Sequence, residues 1–254
     1  MRHPRPECRA FTLIELLIVI AIMAILFSIG MPAIVKATQR AGEAKCLSNV
    51  RSVVQATSSY LNDFNMVFPA EAVNDLRGSN LFGQEGRWSH GVISQTPARE
   101  RLLSTYLNGE TSIAECPNDG GSSTRPATIG LTDFEWLGNS YNYPDRGNTA
   151  ALRHLDGVWT LEGHRLTAVR QPAKKIVLAD NTLWAPERFE TNAWHEPIGN
   201  APSASAGYVD GSAGIVNGKV NPVVQSTWWR YLYRGATTMT AADLELMANQ
   251  DTYY

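Results

Sequence analysis

The sequence predicts an α+β protein in which one long N-terminal α-helix packs on a small antiparallel β-sheet with irregular loops. Three observations indicate this fold: an uninterrupted apolar run near the N-terminus, an amphipathic helical pattern directly after it, and short strand-like segments between turn residues further on. The expected divisions are a basic leader at 1–10, a transmembrane helix segment at 11–31, an amphipathic continuation at 32–64 and a globular domain at 65–254.

The apolar run extends from Phe11 to Met31 and is interrupted only by Thr12, Glu15 and Ser28. A helix of that length spans about 30 Å, which is the thickness of the hydrocarbon core of a bilayer. A carboxylate inside such a span costs roughly 2.5–3.5 kcal/mol on insertion scales. Glu15 is therefore expected either to lie near the headgroups or to have a cationic partner.

The segment before the run carries three Arg residues and ends in the small residue Ala10. An ordinary signal peptide has its small-residue cleavage site after the apolar region, whereas here the small residue precedes it. Cleavage between Ala10 and Phe11 would keep the helix on the mature chain and create an α-amino group. That amine is a cation near neutral pH, so it could pair with Glu15 of a neighbouring copy.

The stretch AFTLIELLIVIAIMAILFSIGMPAI resembles the N-terminus of type IV pilins and type II secretion pseudopilins. The resemblance implies cleavage before Phe11 by a prepilin peptidase, N-methylation of Phe11, and a role for Glu15 in assembly. Gly30 and Pro32 are expected to kink the helix where it leaves the membrane. Ala10 departs from the Gly that the family prefers, and its small side chain is expected to fit the same peptidase pocket.

The net charge of the chain and the basic leader indicate which partners and which cellular compartment to expect. Lys and Arg number 22 and Asp and Glu 24, so the net charge is −2, and it becomes −4 without residues 1–10. This balance argues against a nucleic-acid partner. The leader predicts a single-pass inner-membrane protein with a cytoplasmic N-terminus and a periplasmic globular domain, which becomes extracellular once assembled.

After Pro32 the helical pattern becomes amphipathic, and we expect one continuous helix from about Thr12 to Phe64, with Pro69 preventing its continuation. The residues of the stripe recur at steps of three and four: Leu47, Val50, Val54, Thr57, Leu61 and Phe64.

The globular domain is expected to contain a short helix from Thr96 to Leu107, a strand at Lys175–Asp180 and a hairpin at Gly207–Val216 around Asp210-Gly211. Further expectations are a loop at 116–124, a strand and turn at 140–147, strands at 159–161 and 227–233, and a last short helix from Thr240 to Ala248.

Two cysteines, Cys46 and Cys116, remain once the leader with Cys8 is removed. In an oxidising compartment they are expected either to form a disulfide that pins the helix to the domain or to be two separately buried thiols. The spacing does not decide between these alternatives.

The second half is similar to the globular domain appended to many pilin-like proteins. That domain has a Cys-Pro loop and a His followed by an aromatic-x-Asp-Gly hairpin. The matching residues are Cys116-Pro117, His195, Tyr208, Asp210 and Gly211. Two departures are a longer interval between the His and the Asp, and Ser212 in place of a second His.

The motifs do not predict catalysis, so an enzyme is not expected. The histidines at 90, 154, 164 and 195 lack metalloprotease spacing, and Gly120-Gly121 lacks the continuation of a phosphate loop. No cofactor is expected, although a bound calcium ion remains an alternative because carboxylates in turns are suitable ligands. The candidate carboxylates are Asp119, Asp145, Asp156, Asp180 and Asp210.

The expected function is structural, as a subunit of a type IV pilus or a type II secretion pseudopilus. The expected partners are other pilin-like subunits in a homo- or hetero-oligomeric filament, the prepilin peptidase and the inner membrane. The alternative is a membrane-anchored extracytoplasmic module that binds a glycan or a protein and uses the helix only as an anchor. Aromatic platforms at Trp194-His195 and Trp228-Trp229 are its candidate binding residues.

Overall fold

The computed structural model describes residues 12–70, 81–87, 97–121, 130–143, 161, 163–169, 171–184, 194–195 and 203–217. The chain divides into two compact units, Met1–Ala41 and Gly42–Tyr254. The described elements combine one long helix with a four-stranded antiparallel sheet, which confirms the predicted α+β fold. The domain boundaries expected at residues 31 and 64 remain predictions.

Helix α1 comprises Leu13–Asp63 and contains Pro32. Proline is unfavourable inside a helix because it lacks an N–H donor and its ring crowds the preceding turn. The helix nevertheless continues through Gly30 and Pro32, and a kink at these two residues stays a prediction. Its limits agree with the predicted Thr12 to Phe64 within one residue at each end.

The second half of α1 supplies one side of the core in the unit Gly42–Tyr254. The predicted stripe is buried at Val50, Val54, Thr57 and Leu61, whereas Phe64 remains half exposed. The buried surface is wider than predicted because five further side chains belong to it: Cys46, Asn49, Val53, Ala56 and Tyr60.

The sheet has the order β1-β2-β3-β4 with every neighbouring pair antiparallel. Its strands are β1 (Tyr141–Asn142), β2 (Ile176–Asp180), β3 (Ser203–Tyr208) and β4 (Ala213–Asn217). All five residues of β2 and the first five of β3 are buried, so these central strands have both faces covered. The predicted strand at 175–180 and the hairpin around Asp210-Gly211 are present.

Gly207 of β3 lies directly against α1. A Cβ atom on this residue would come within 2.4 Å of Val54 Cγ2 and 2.8 Å of Val50 Cγ1. Glycine therefore allows the helix to approach the strand closely. This contact explains how the apolar stripe of α1 is packed against the sheet.

A short second helix, α2 (Asp133–Leu137), begins after Thr132. The Thr132 hydroxyl accepts from the backbone N–H of Glu135, while the Glu135 carboxylate accepts from the backbone N–H of Thr132. Gly138 ends the helix with φ of 84°. Helix α2 was not among the expected elements, although the capping sequence Thr-x-x-Glu is a signal for a helix at this place.

The helix predicted from Thr96 to Leu107 is wrong. Instead, two 3₁₀ segments are formed by Ala98–Glu100 and Thr105–Leu107. Between them the guanidinium of Arg101 points into the core, where it donates to the carbonyl oxygens of Phe82 and Gln84. These tertiary contacts replace the regular helical hydrogen bonds, which local propensity alone favoured.

Five expectations lie wholly or partly outside the described residues. They concern the end of the loop at 116–124, the turn of 140–147, the strands at 159–161 and 227–233, and the helix from Thr240 to Ala248.

Candidate functional site

The first candidate site is the apolar surface of α1 between Leu13 and Val35. Its large apolar side chains are exposed by fractions from 41% at Val19 to 81% at Leu13. By length and composition, α1 is the one helix among the described residues that could cross a membrane. An apolar surface of this extent is far larger than the patches that water-soluble monomers expose, so it indicates a lipid or protein environment.

Glu15 is held at the start of this surface by Thr12. The Glu15 carboxylate oxygen Oε2 accepts from the Thr12 backbone N–H at 2.9 Å and from the Thr12 hydroxyl at 2.8 Å. In return the Glu15 backbone N–H donates to Thr12 Oγ1 at 3.2 Å. This is the reciprocal capping-box arrangement of a helix N-terminus. The sequence predicts a role for Glu15, whereas the positioning role of Thr12 becomes clear only from the structure.

The capping box leaves the second carboxylate oxygen available. The contacts that the Glu15 carboxylate makes with the described residues all use Oε2. A cation on a neighbouring molecule could therefore approach Oε1 without breaking the bonds to Thr12. This geometry is compatible with the predicted pairing of Glu15, which remains a prediction.

The second candidate site is a buried cluster around a disulfide. Cys46 of α1 and Cys116 are bonded, with an S–S distance of 2.17 Å and a Cα–Cα distance of 5.0 Å. The bond links the helix to the segment after Ala114. Beside it, Asn49, one turn further along α1, donates to the Glu115 carbonyl at 2.8 Å. The disulfide and this hydrogen bond therefore hold α1 to the same segment of the chain.

His195 lies against this disulfide. Its Nε2 atom is 3.8 Å from Cys116 Sγ, 2.9 Å from Asp180 Oδ2 and 3.2 Å from Ser205 Oγ. Burial alone would lower the pKa of the imidazole, but the hydrogen bond and the charge of Asp180 raise it above its usual range. His195, Asp180 and Ser205 are each at most 3% exposed.

The sheet explains how these residues meet. Asp180 ends β2, and Ser205 is in the middle of β3, the neighbouring strand. The Asp180 carboxylate accepts from both the backbone N–H and the hydroxyl of Ser205 at 2.5 and 2.8 Å. These two hydrogen bonds orient the carboxylate independently of its contact with the imidazole of His195.

The residue types Ser, His and Asp invite comparison with a catalytic triad, and the geometry differs. In a triad the acid and the nucleophile bind opposite nitrogens of the imidazole, so that a proton can be passed across the ring. Here Asp180 and Ser205 both contact Nε2. Complete burial also keeps substrates from Ser205. The cluster is therefore suited to holding structure and not to acyl transfer.

Asp119, one of the carboxylates considered for calcium, is occupied by hydrogen-bond donors. It accepts from the backbone N–H groups of Gly121, Asp133 and Phe134 and from the hydroxyl of Ser140, at 2.7–3.0 Å. Burial and the nearby charge of Asp133 raise its pKa to about 6. These contacts give Asp119 a structural role at the start of α2.

Asp210 and Gly211 form the turn of the β3–β4 hairpin. The exposed Asp210 carboxylate accepts from the backbone N–H and the hydroxyl of Ser212 at 2.9 and 2.6 Å, and the bonds to Ser212 lower the pKa of Asp210. Gly211 has a φ of 93°, which glycine adopts most easily. Ser212 therefore stabilises the turn.

The structure brings His195 and Cys116 together, whereas Asp210 and Gly211 lie in the hairpin turn. The half-buried Trp194 donates to the Gly121 carbonyl at 3.4 Å. Ala10, Phe11, His90, Asp145, Asp156 and Trp228-Trp229 lie outside the described residues. Asp180 was predicted only as a turn carboxylate; its contacts with His195 and Ser205 had no signal in the sequence, because 15 and 25 positions separate the partners.

A surface groove of about 340 Å³ lies beside the C-terminal part of α1. Its lining consists of Ser52, Gln55, Ala56, Ser59, Tyr106, Leu107, Asn108 and Ile113. These described residues include no carboxylate, imidazole or thiol, so they offer none of the usual metal-binding side chains. The hydroxyl of Tyr106, which could act as an acid or base, donates to Asp63 Oδ2 at 2.7 Å.

Comparison with known proteins bears on the N-terminal site. The prokaryotic N-terminal methylation motif matches residues 5–31. The chain is also similar to the type IV wide pilus major component PilA4 of Thermus thermophilus, with 28% identity over 121 residues that cover 48% of this chain and 91% of the relative. No solved structure matches the chain.

The matched motif includes Glu15 and the exposed apolar surface of α1 as far as Met31. An apolar helix at the N-terminus, a prepilin methylation motif and likeness to a pilus component agree with one another. The chain therefore carries a prepilin-type N-terminal methylation motif and resembles type IV pilins.

Proposed function

We propose that this protein is a structural subunit of a type IV pilus or a type II secretion pseudopilus. The observation that carries the proposal is the exposed apolar surface of α1, which bears one oriented carboxylate, Glu15, at its start. A helix of this kind can reside in a bilayer and later pack against identical helices, because lipid and apolar side chains are similar environments for it.

In this proposal a prepilin peptidase cleaves between Ala10 and Phe11 and the new amine is N-methylated. The N-terminus faces the cytoplasm before cleavage, and the unit that carries the sheet lies outside the inner membrane. The amine of Phe11 then neutralises Glu15 of a neighbouring subunit in a homo- or hetero-oligomeric filament. Pairing of opposite charges lowers the cost of placing both inside an apolar bundle. Catalysis has no part in this function.

The test of processing is mass spectrometry of the N-terminus of the protein isolated from its membranes. The expected result is a chain that begins at methylated Phe11. A chain that still begins at Met1, or one that lacks the whole apolar run, would contradict the proposal.

The test of assembly is Glu15→Ala, compared with Glu43→Ala as a substitution of the same kind outside the apolar run of α1. We expect Glu15→Ala to accumulate in the membrane and to be absent from sheared filaments, because an unpaired amine would remain in the bundle. Glu43→Ala should be recovered in filaments. Normal incorporation of Glu15→Ala would show that the carboxylate has no assembly role, and a monomer with ligand affinity would favour the anchored binding module.

A further inference from the structure

The cluster around the disulfide has the composition of a zinc site. Cys46, Cys116 and His195 each offer one ligand atom, and these three atoms lie within 4.8 Å of one another. Asp180 Oδ2 is a further oxygen at 2.9 Å from His195 Nε2. Thiolate, imidazole and carboxylate are the three ligand types that zinc takes in proteins.

The distances are close to those of one tetrahedral ion. Zinc–ligand bonds of about 2.0–2.3 Å place the ligand atoms of a tetrahedron roughly 3.3–3.8 Å apart. Cys116 Sγ and His195 Nε2 are already 3.8 Å apart. To bind one ion, the two sulfur atoms, which share a bond here, would have to separate by a rotation of their side chains. Asp180 Oδ2 would also have to move slightly away from His195 Nε2, which is 2.9 Å from it.

We infer that Cys46, Cys116, His195 and Asp180 bind one zinc ion when the two cysteines are thiols. The zinc and the disulfide are alternatives, because each requires both sulfur atoms. In either state Cys46 of α1 is linked to Cys116, so the metal would supply in the thiol form the cross-link that the covalent bond supplies in the oxidised form. This inference does not depend on filament assembly.

The surroundings favour a bound ion in the thiol form. The four side chains are at most 3% exposed, and water competes poorly for a metal in such a place. The Asp180 carboxylate is already oriented by the N–H and hydroxyl of Ser205. Nδ1 of His195 is buried and has no hydrogen-bond partner among the described residues, so it can carry the ring proton while Nε2 binds the metal.

The conversion balances with a phosphine as the reductant. The phosphine and one water molecule give the phosphine oxide, and the disulfide takes up two electrons and two protons to become two thiols. Zinc then displaces both thiol protons and binds the thiolates. Because the site is buried, entry of the ion is expected to accompany refolding or local opening of the reduced chain.

The experiment uses the full chain in detergent with Cys8→Ser, so that one extra thiol is removed. Oxidised and phosphine-reduced samples are mixed with zinc under anaerobic conditions, desalted and analysed for metal by mass spectrometry. We expect about one zinc per reduced chain, almost none per oxidised chain, and a higher melting temperature of the reduced chain with zinc than without it. Reduced protein that retains no zinc, or oxidised protein that retains as much, would overturn the inference.

Cobalt(II) serves as a spectroscopic probe of the ligands. The reduced chain should show the sulfur-to-cobalt charge-transfer band and the intense visible bands of a tetrahedral site. His195→Gln should lower zinc retention at least tenfold, whereas His164→Gln, the same change outside the cluster, should retain it. If His195→Gln binds zinc equally and gives the same cobalt spectrum, the site is not the one inferred. The measurement on the unsubstituted cluster decides zinc binding even if His195→Gln fails to fold.

Discussion

For a polar residue in the core, the surrounding residues determine its hydrogen bonds and can shift its pKa. The carboxylate of Asp180 is surrounded by a histidine, a serine and a disulfide, although the sequence shows only an Asp at the end of a strand. Lys175, five positions earlier, is also buried, and burial lowers its pKa from 10.5 to about 8. Position in the fold therefore sets the properties of both residues.

Lys175 gives a prediction about stability and pH. Between pH 8 and 10.5 the unfolded chain binds a proton at this position and the folded chain does not. Stability should therefore rise with pH across this window, by about 3 kcal/mol in total. Lys175→Met should remove that rise and stabilise the protein by roughly 1–3 kcal/mol at pH 7, because no charge has to be buried.

The measurement is urea unfolding at several pH values from 7 to 10.5. Lys174→Met is the matched control, since Lys174 is the exposed neighbour of Lys175, and it should keep the pH dependence of the unsubstituted protein. Equal behaviour of the two variants would mean that Lys175 is not responsible.

The helices, strands and connecting segments differ in how well their local sequence predicts their conformation. Helix α1 was predictable because its signal is local: an apolar run joined to a stripe with helical spacing. Strand β2 was recognisable as a short apolar run, and the β3–β4 hairpin by its Asp-Gly turn. The segment 97–107 was not predictable, since its conformation depends on where Arg101 finds two carbonyl groups distant in sequence.

The packing of α1 on β3 can be tested at Gly207. Gly207→Ala places a methyl group within 2.4 Å of Val54 Cγ2, so helix and strand must move apart or the valines must shift. We expect a loss of roughly 1–3 kcal/mol in the free energy of unfolding, as found for overpacked cores.

Gly214→Ala on the adjacent strand β4 is the control, because no atom lies within 4 Å of a Cβ there. Its free energy of unfolding should change by less than about 0.5 kcal/mol. Both variants are compared by denaturant titration of the full chain in detergent. A Gly207→Ala protein as stable as the Gly214→Ala protein would show that the close approach contributes nothing.

At the level of the whole molecule, the disulfide joins residues that are 70 positions apart. Closing a loop of that length restricts the unfolded chain and contributes about 4 kcal/mol in the chain-entropy account. The paired substitution Cys46→Ser with Cys116→Ser should therefore lower the free energy of unfolding by an amount near this value under oxidising conditions.

Cys8→Ser is the control for that experiment and should leave stability unchanged, because Cys8 precedes the expected cleavage site. Treatment of the unsubstituted protein with a phosphine and a metal chelator should reproduce the loss. If neither the paired substitution nor reduction alters the unfolding midpoint, the covalent link does not stabilise the folded chain.

The sequence predicted the fold class and the N-terminal surface, whereas it left the pairing of Cys46 and Cys116 open and gave no sign of His195 beside them. The difference has a physical origin. A membrane-compatible helix is encoded by consecutive residues, but the cluster arises only when α1, the segment at Cys116, β2 and β3 meet in the folded core.

The bond between Cys46 and Cys116 also has a mechanical consequence. If a fibre built from such subunits is stretched, tension arriving along the backbone of α1 before Cys46 can pass across the sulfur atoms directly to Cys116. The intervening loop, which includes the part of α1 that packs against Gly207, is then bypassed by the load. That contact could remain intact under forces that would peel an unlinked helix from its sheet.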